Sequence, residues 1–202
     1  LLALDRAEKA AHELEKADEI VPGETEVALV LARALLDCGE VARARERLDT
    51  STEEELGAEG LVLKAHVTEE LGEPGRAAAL FESALERAPS LTEAQLGAAR
   101  GHLAAGAPAK AQQHLLRVIE ESDDPSARLI AHSLLGRATE RVGELETADS
   151  HYQTVLELGE EAEGKEAGEA LDAARLGAAR VALQRDAIRE AASTFEALLG
   201  AR

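Results

Sequence analysis

Residues 61–90 read LVLKAHVTEELGEPGRAAALFESALERAPS, and the order of small, turn and large residues in this stretch decides the fold. An apolar-periodic run containing Ala65 is interrupted at Gly72, and Pro74 follows two residues later. A second run then carries Ala77 and Phe81 and stops at Pro89. Glycine closes a helix because it takes positive φ without a Cβ clash. Proline is tolerated in the first turn of a new helix, where its missing N–H is not needed. Ala77 and Phe81, four residues apart, share one helical face. The stretch therefore predicts two helices folded back on each other across a tight turn, with Ala65 at their close approach.

The same order recurs along the chain, and repetition at this length is the mark of stacked helical hairpins. Ala10, Ala44, Ala77, Ala111, Ala148 and Ala191 serve as anchors, separated by 34, 33, 34, 37 and 43 residues. Four residues after each stands a large side chain: Leu14, Leu48, Phe81, Leu115, Tyr152 and Phe195. Twelve before each anchor but the first is a small one: Ala32, Ala65, Ala99, Gly136 and Ala179. Five before come Gly39, Gly72, Gly106, Gly143 and then Asp186, and three before come Val41, Pro74, Pro108, Leu145 and Ile188. Pro22 and Pro89 lie twelve after their anchors and stop the second helix. Leu56, Asp123 and Glu160 occupy the equivalent places, and Pro125 falls two residues late. A hairpin of this kind leaves its apolar face half open until the next one covers it.

These columns resemble the tetratricopeptide repeat over essentially the whole chain. Two departures stand out. The large aromatic usual near each repeat's start is replaced by Ala28, Leu61, Gln95, His132 and Arg175, and the last two spacings run long through Glu120–Ser126 and Glu157–Gly168. The acid- and glycine-rich stretch from Glu157 to Glu169 reads as an extended hairpin end or mobile loop. The units are 1–24 (partial), 25–57, 58–91, 92–128, 129–171 and 172–202, forming a single array over 1–202. The resemblance implies an all-α, right-handed superhelical solenoid of antiparallel helix hairpins. Its concave groove would be lined mainly by the first helix of each hairpin.

Composition narrows the function. Aromatics make up only 1% of the chain, and 22 basic against 40 acidic residues give a formal net charge of −18. Such a field repels phosphate backbones and anionic membrane surfaces, so nucleic acid is not an expected partner. No apolar run reaches the roughly 20 residues needed to span a bilayer, and no membrane insertion is expected. Cys38 stands alone, which argues against a disulfide framework and favours a packed thiol in a reducing, cytoplasmic setting. The chain contains no Met and begins at Leu1 in what reads as mid-helix, as a processed or trimmed piece would.

In the frame that the resemblance supplies, two columns on the first helices face the groove. Fifteen before each anchor lie Leu29, Val62, Leu96, Ser133 and Leu176; eleven before lie Arg33, His66, Arg100, Arg137 and Arg180. Four residues apart, the two columns share a face. Glu26, Glu59 and Glu93 add an acidic rim on the N-terminal half. An apolar stripe beside a row of cations fits a protein or peptide segment carrying Asp, Glu or a terminal carboxylate, which Arg grips with paired hydrogen bonds. Local pairing offers another account of some of these cations: Arg33 has Asp37 one turn on, His66 has Glu70 and Arg137 has Glu140. Arg100 and Arg180 face Ala104 and Gln184 instead. The carboxylate clamp found in some members of the family is not expected, because Leu29 and Val62 stand where it wants lysine and no Asn occurs.

No catalytic, metal or cofactor signature accompanies the repeats. The six histidines show no HExxH or paired metal-ligand spacing, no glycine loop follows a strand, and no Ser sits in a nucleophile motif. The sequence thus reads as a non-enzymatic, cofactor-free scaffold for a protein or peptide. The alternatives are a self-assembling structural array, a homo-oligomer, or a regulatory segment of a larger enzyme or transcription factor.

Overall fold

The computed structural model describes residues 2–20, 23–159 and 164–185. Helices alternate with short turns, and no strand occurs among the described residues: α1 (Leu2–Ile20), α2 (Thr25–Asp37), α3 (Val41–Leu48), α4 (Glu53–Glu70), α5 (Pro74–Arg87), α6 (Thr92–Ala104), α7 (Pro108–Glu121), α8 (Pro125–Val142), α9 (Leu145–Leu158) and α10 (Lys165–Gln184). They fall into two compact units, residues 1–97 and 98–202, with α6 running through the division. In the first unit α2 packs on α1, α3 and α4, and α4 on α5. In the second, α8 packs on α7, α9 and α10. Leu1, Pro22, Glu160, Asp186, Ile188, Ala191 and Phe195 lie outside the described residues, so the second helix expected for unit 172–202 does too.

The turn chemistry follows the repeat columns. Gly39, Gly72, Gly106 and Gly143 have φ of 77°, 79°, 74° and 83°. In each case the next residue donates its N–H to a carbonyl five residues back: Glu40 to Leu35, Glu73 to Thr68, Ala107 to His102 and Glu144 to Thr139, at 2.8–3.1 Å. This left-handed closure satisfies carbonyls that the helix end would otherwise orphan. Pro74 and Pro108 open α5 and α7. The residue before Pro89, Ala88, is extended (φ −136°, ψ 82°) and ends α5, as the ring of the following proline requires.

The packing columns are buried. Ala44, Ala77, Ala111 and Ala148 are each 0% exposed, as are Leu48, Phe81, Leu115 and Tyr152 four residues on. In the partial first unit the buried alanine is Ala11 rather than the anchor Ala10, which is exposed, so α1 is turned by one position. Phe81 and Tyr152 sit against helix positions that lack a Cβ. A Cβ on Gly97 would come within 2.4 Å of the Phe81 ring, and one on Gly136 or Gly177 within 2.4 or 2.2 Å of the Tyr152 ring. Both aromatics therefore lie flat on bare backbone, a contact that a larger residue would wedge apart.

The long spacings are resolved mostly as helix rather than loop. Pro125 does not stop α7; it starts α8, with the Asp124 carboxylate accepting the Ser126 N–H at 2.9 Å as N-cap. The stretch read as a loop through Glu169 is helical from Lys165 onward. The cause is apolar: Ala167, Ala170 and Ala174 bury against Leu129, Tyr152 and Val155, and Ser133 donates its hydroxyl to the Ala170 carbonyl at 3.0 Å. Glu53–Leu56 forms an extra turn before a kink at Gly57 (φ 65°), capped by the reciprocal Thr52–Glu55 box. Cys38 is half-buried at the C-cap of α2, where burial pushes its thiol pKa up.

Candidate protein-binding site

The residues expected to face the groove divide into three groups. Val62 and Leu96 do not present their side chains: at 2% and 7% exposed they belong to the core. The positions on either side are buried as well, Leu61 and Leu63 beside Val62 and Gln95 and Gly97 beside Leu96. Leu29 is half-buried, whereas Leu176 is 44% exposed on α10. Ser133, in the same column, is buried against α10.

The cation column is similarly split. His66 does not pair with Glu70. Its Nδ1 lies 3.3 Å from Glu69 and its Nε2 2.9 Å from Glu93 of α6, with its ring edge-on to Phe81 at 5.2 Å. Burial opposes charging this ring, but the two carboxylates outweigh it and raise its pKa to about 9. Arg180 is gripped by Glu140 of α8, with Nε donating to Oε1 at 2.9 Å and Nη2 to Oε2 at 2.7 Å. Arg100 is partly buried on α6. Arg33 and Arg137 are exposed, and neither makes a hydrogen bond or ion pair among the described residues. The local pairs expected with Asp37 and Glu140 do not close to ion-pair distance, although the charge of Arg137 helps to hold the Glu140 carboxyl down.

Two clefts take in these residues, one in each unit. Between α2 and α4, Leu29, Val30, Arg33, Glu59, Gly60 and Leu63 line an open cleft of about 240 Å³. Gly60 supplies its floor: a Cβ there would meet the Leu29 Cδ2 at 2.9 Å, so Leu29 lies directly over backbone. Val30 is 50% exposed beside it. The result is an aliphatic shelf with one guanidinium and one carboxylate at its edge. Between α8 and α10, Arg137, Glu140, Arg141, Arg180 and Gln184 line a polar cleft of about 450 Å³. Val30, Leu63 and Arg141 were not singled out from the sequence, and Glu140 only as a local partner of Arg137. The first two sit one position beyond the column used for the groove; Val30 is exposed there, whereas Leu63 is buried like Val62.

The histidines of unit 2 pair between the two helices of a single hairpin. His102 and His114 stack at 5.6 Å, and His132 Nδ1 lies 3.1 Å from His151 Nδ1, one neutral ring donating to the other. Burial first, then His151 and Arg128, hold His132 down at about 4. The two units should therefore respond to pH in opposite senses. His66, whose pKa rises on folding, stabilises unit 1 fully below its unfolded value near 6.5, and this is lost as pH rises through about 9. His132, whose pKa falls on folding, leaves unit 2 unpenalised above 6.5 and weakens it as pH falls through about 4. Thermal unfolding followed by circular dichroism across this range is expected to show both limbs. His66→Gln should reduce only the alkaline limb and His132→Gln only the acidic one, to which the half-buried His151 also contributes.

Stacked, glycine-closed hairpins with exposed aliphatic and charged clefts on their first helices define a helical-repeat scaffold of the kind that joins proteins together. The tetratricopeptide repeat family model matches residues 1–66 and 70–137, and the chain belongs to that family. Its members are generally non-catalytic interaction scaffolds, and no described helix is long and apolar enough to cross a membrane. No curated protein matches the sequence. Among solved structures, the fold is similar to that of the APC/C hetero-tetramer Cut9–Hcn1 (TM-score 0.75, 16% identity), covering 96% of this chain and 36% of that one. The chain thus spans about a third of that neighbour's length. MamA from Desulfovibrio magneticus RS-1 is similar at TM-score 0.73 and 19% identity, covering 87% of this chain and 93% of that one. BtubC from P. vanneervenii is similar at TM-score 0.72 and 15% identity, covering 96% and 87% respectively.

Proposed function

We propose that this chain holds an apolar, acidic segment of a protein partner against the first helices of its hairpins. The observation that carries the reading is the α2–α4 shelf, where Val30 is half exposed beside Leu29 and an Arg33 that no described residue engages. An aliphatic side chain left in water on a packed helix gains from being covered, at about 25 cal/mol per Å² of apolar surface. Arg33 next to it adds selection for a carboxylate. The Cut9–Hcn1 neighbour is itself a complex of two different chains, in keeping with an array that holds a partner.

Val30→Asp tests this. The side chain points to solvent, so the variant is expected to unfold within a few degrees of wild type while losing the partner that wild type retains in affinity capture. Equal retention by Val30→Asp and wild type would remove the shelf from the binding surface. Light scattering at several concentrations separates this from self-association: a mass that grows with concentration and is reset by Val30→Asp would identify a second copy as the occupant.

A further inference from the structure

The polar cleft between α8 and α10 carries three guanidinium groups, those of Arg137, Arg141 and Arg180, against one carboxylate, that of Glu140. Glu140 is largely occupied by internal partners. It accepts from Arg180 twice, at 2.9 and 2.7 Å, and from the hydroxyl of the fully buried Tyr152 at 2.9 Å. The Arg180 hydrogen bonds in particular hold its carboxyl below the usual carboxylate range. Arg180 is thereby clamped in place, with its Nη1 making none of these bonds. Arg141 is tied to the Leu103 carbonyl at the end of α6. Arg137 lies one turn before Arg141 on α8, exposed and without a hydrogen bond or ion pair among the described residues. The lining carries a formal charge of +2 in a chain of −18. Two cations are fixed by internal bonds and a third is open, so the ordering cost of gripping an oxyanion is already partly met.

We infer that this cleft is a subsite for a single isolated anion on the partner peptide, a carboxylate or a phosphoryl group flanked by neutral or basic residues. Isolation follows from the surrounding field. A net charge of −18 disfavours a dense run of acids near the cleft, a penalty that an anion bracketed by neutral or basic neighbours largely avoids. A planar fork of N–H donors suits either oxyanion. That the anion is borne by a peptide rests on the scaffold reading above; that the cleft takes an oxyanion does not.

The Nε–Hε NMR signals of the arginines read the cleft directly. Titration with sodium acetate, and separately with inorganic phosphate, is run at constant ionic strength against sodium chloride. Saturable shifts are expected at Arg137 and Arg180, with only a small linear drift at exposed Arg117 on α7. Arg137→Gln should abolish saturation and leave the melting temperature unchanged, since Arg137 makes no bond within the fold. Parallel linear drift at Arg117 and Arg137 would overturn the subsite. The second arm uses Ac-Lys-Leu-Ala-Glu-Leu-Ala-Lys-NH2, its glutamine counterpart and its phosphoserine counterpart. Wild type is expected to prefer the glutamate or the phosphoserine peptide over the glutamine one by about tenfold, the scale of one charge-assisted contact. The preferred peptide identifies the group, and Arg137→Gln should reduce the preference to near unity. Equal binding of all three peptides would overturn the assignment of the anion to a peptide. Failure of the scaffold reading would show instead as unchanged capture by Val30→Asp, with the acetate titration unaffected.

Discussion

Replacing Tyr152 with alanine is expected to remove about 3–5 kcal/mol from the stability of unit 2, read as a shift in the denaturant midpoint. The ring is 0% exposed and lies between Gly136 of α8 and Gly177 of α10, so its removal opens a void that two backbones cannot close. The hydroxyl also supplies one of the three hydrogen bonds that Glu140 accepts. Tyr152→Phe separates the two contributions. It keeps the ring and loses only the hydrogen bond to a carboxylate, for an expected cost of about 1.5–3 kcal/mol. An alanine variant no less stable than the phenylalanine one would mean that the ring does not join the two helices.

The second large effect is the reverse insult. Alanine is the better helix former by about 0.8–1.0 kcal/mol over glycine, so on propensity alone Gly177→Ala should stabilise α10. The added Cβ, however, would lie 2.2 Å from Tyr152 Cζ, and overpacking of this kind costs about 1–3 kcal/mol. A net loss of stability is therefore expected. In a Tyr152→Leu background the clash is relieved, and the same Gly177→Ala change should turn neutral or favourable. A double-mutant cycle measures this directly as a coupling between the two sites. Independent, additive effects would contradict the packing. Gly97 and Phe81 form the corresponding pair in unit 1, where the added Cβ would lie 2.4 Å from the ring.

These pairs also show what the sequence made legible and what it did not. Features set within one hairpin were readable: Gly72 and Pro74 dictate a turn through their own backbone chemistry, and Ala77 with Phe81 mark a buried face through helical period alone. Features set between hairpins were not. Gly97 and Gly177 stand fourteen before their anchors, where the other units have Val30, Leu63 and Leu134. Glycine occurs there only where the preceding unit contributes Phe81 or Tyr152 rather than leucine. That large-to-small compensation was visible in the chain and would have located the inter-hairpin contact. Gln95 offered no such signal. It replaces the usual aromatic because its amide donates to the Pro89 carbonyl at 2.8 Å, holding the turn between α5 and α6.

Which first-helix side chains are exposed was not legible in the sequence. On α2 the exposed aliphatic is Val30, one residue and roughly 100° beyond Leu29, whereas on α4 both Val62 and Leu63 are in the core. Pairing partners were harder still. Glu140 was readable as a neighbour of Arg137 three residues earlier, yet it serves Arg180, forty residues later on a facing helix. Periodicity carries no information about which of two arginines wins a carboxylate. Tyr152, aligned on the same group from a third helix, settles it.

The central claim is that the first helices, and the α2–α4 shelf above all, hold the protein partner. Hydrogen–deuterium exchange of the chain with and without its captured partner tests that most directly. Added protection is expected across residues 25–37 and 58–70, with little change across 41–48 and 74–87 on the second helices. Protection confined to the second helices, with 25–37 exchanging as in the free chain, would contradict the account.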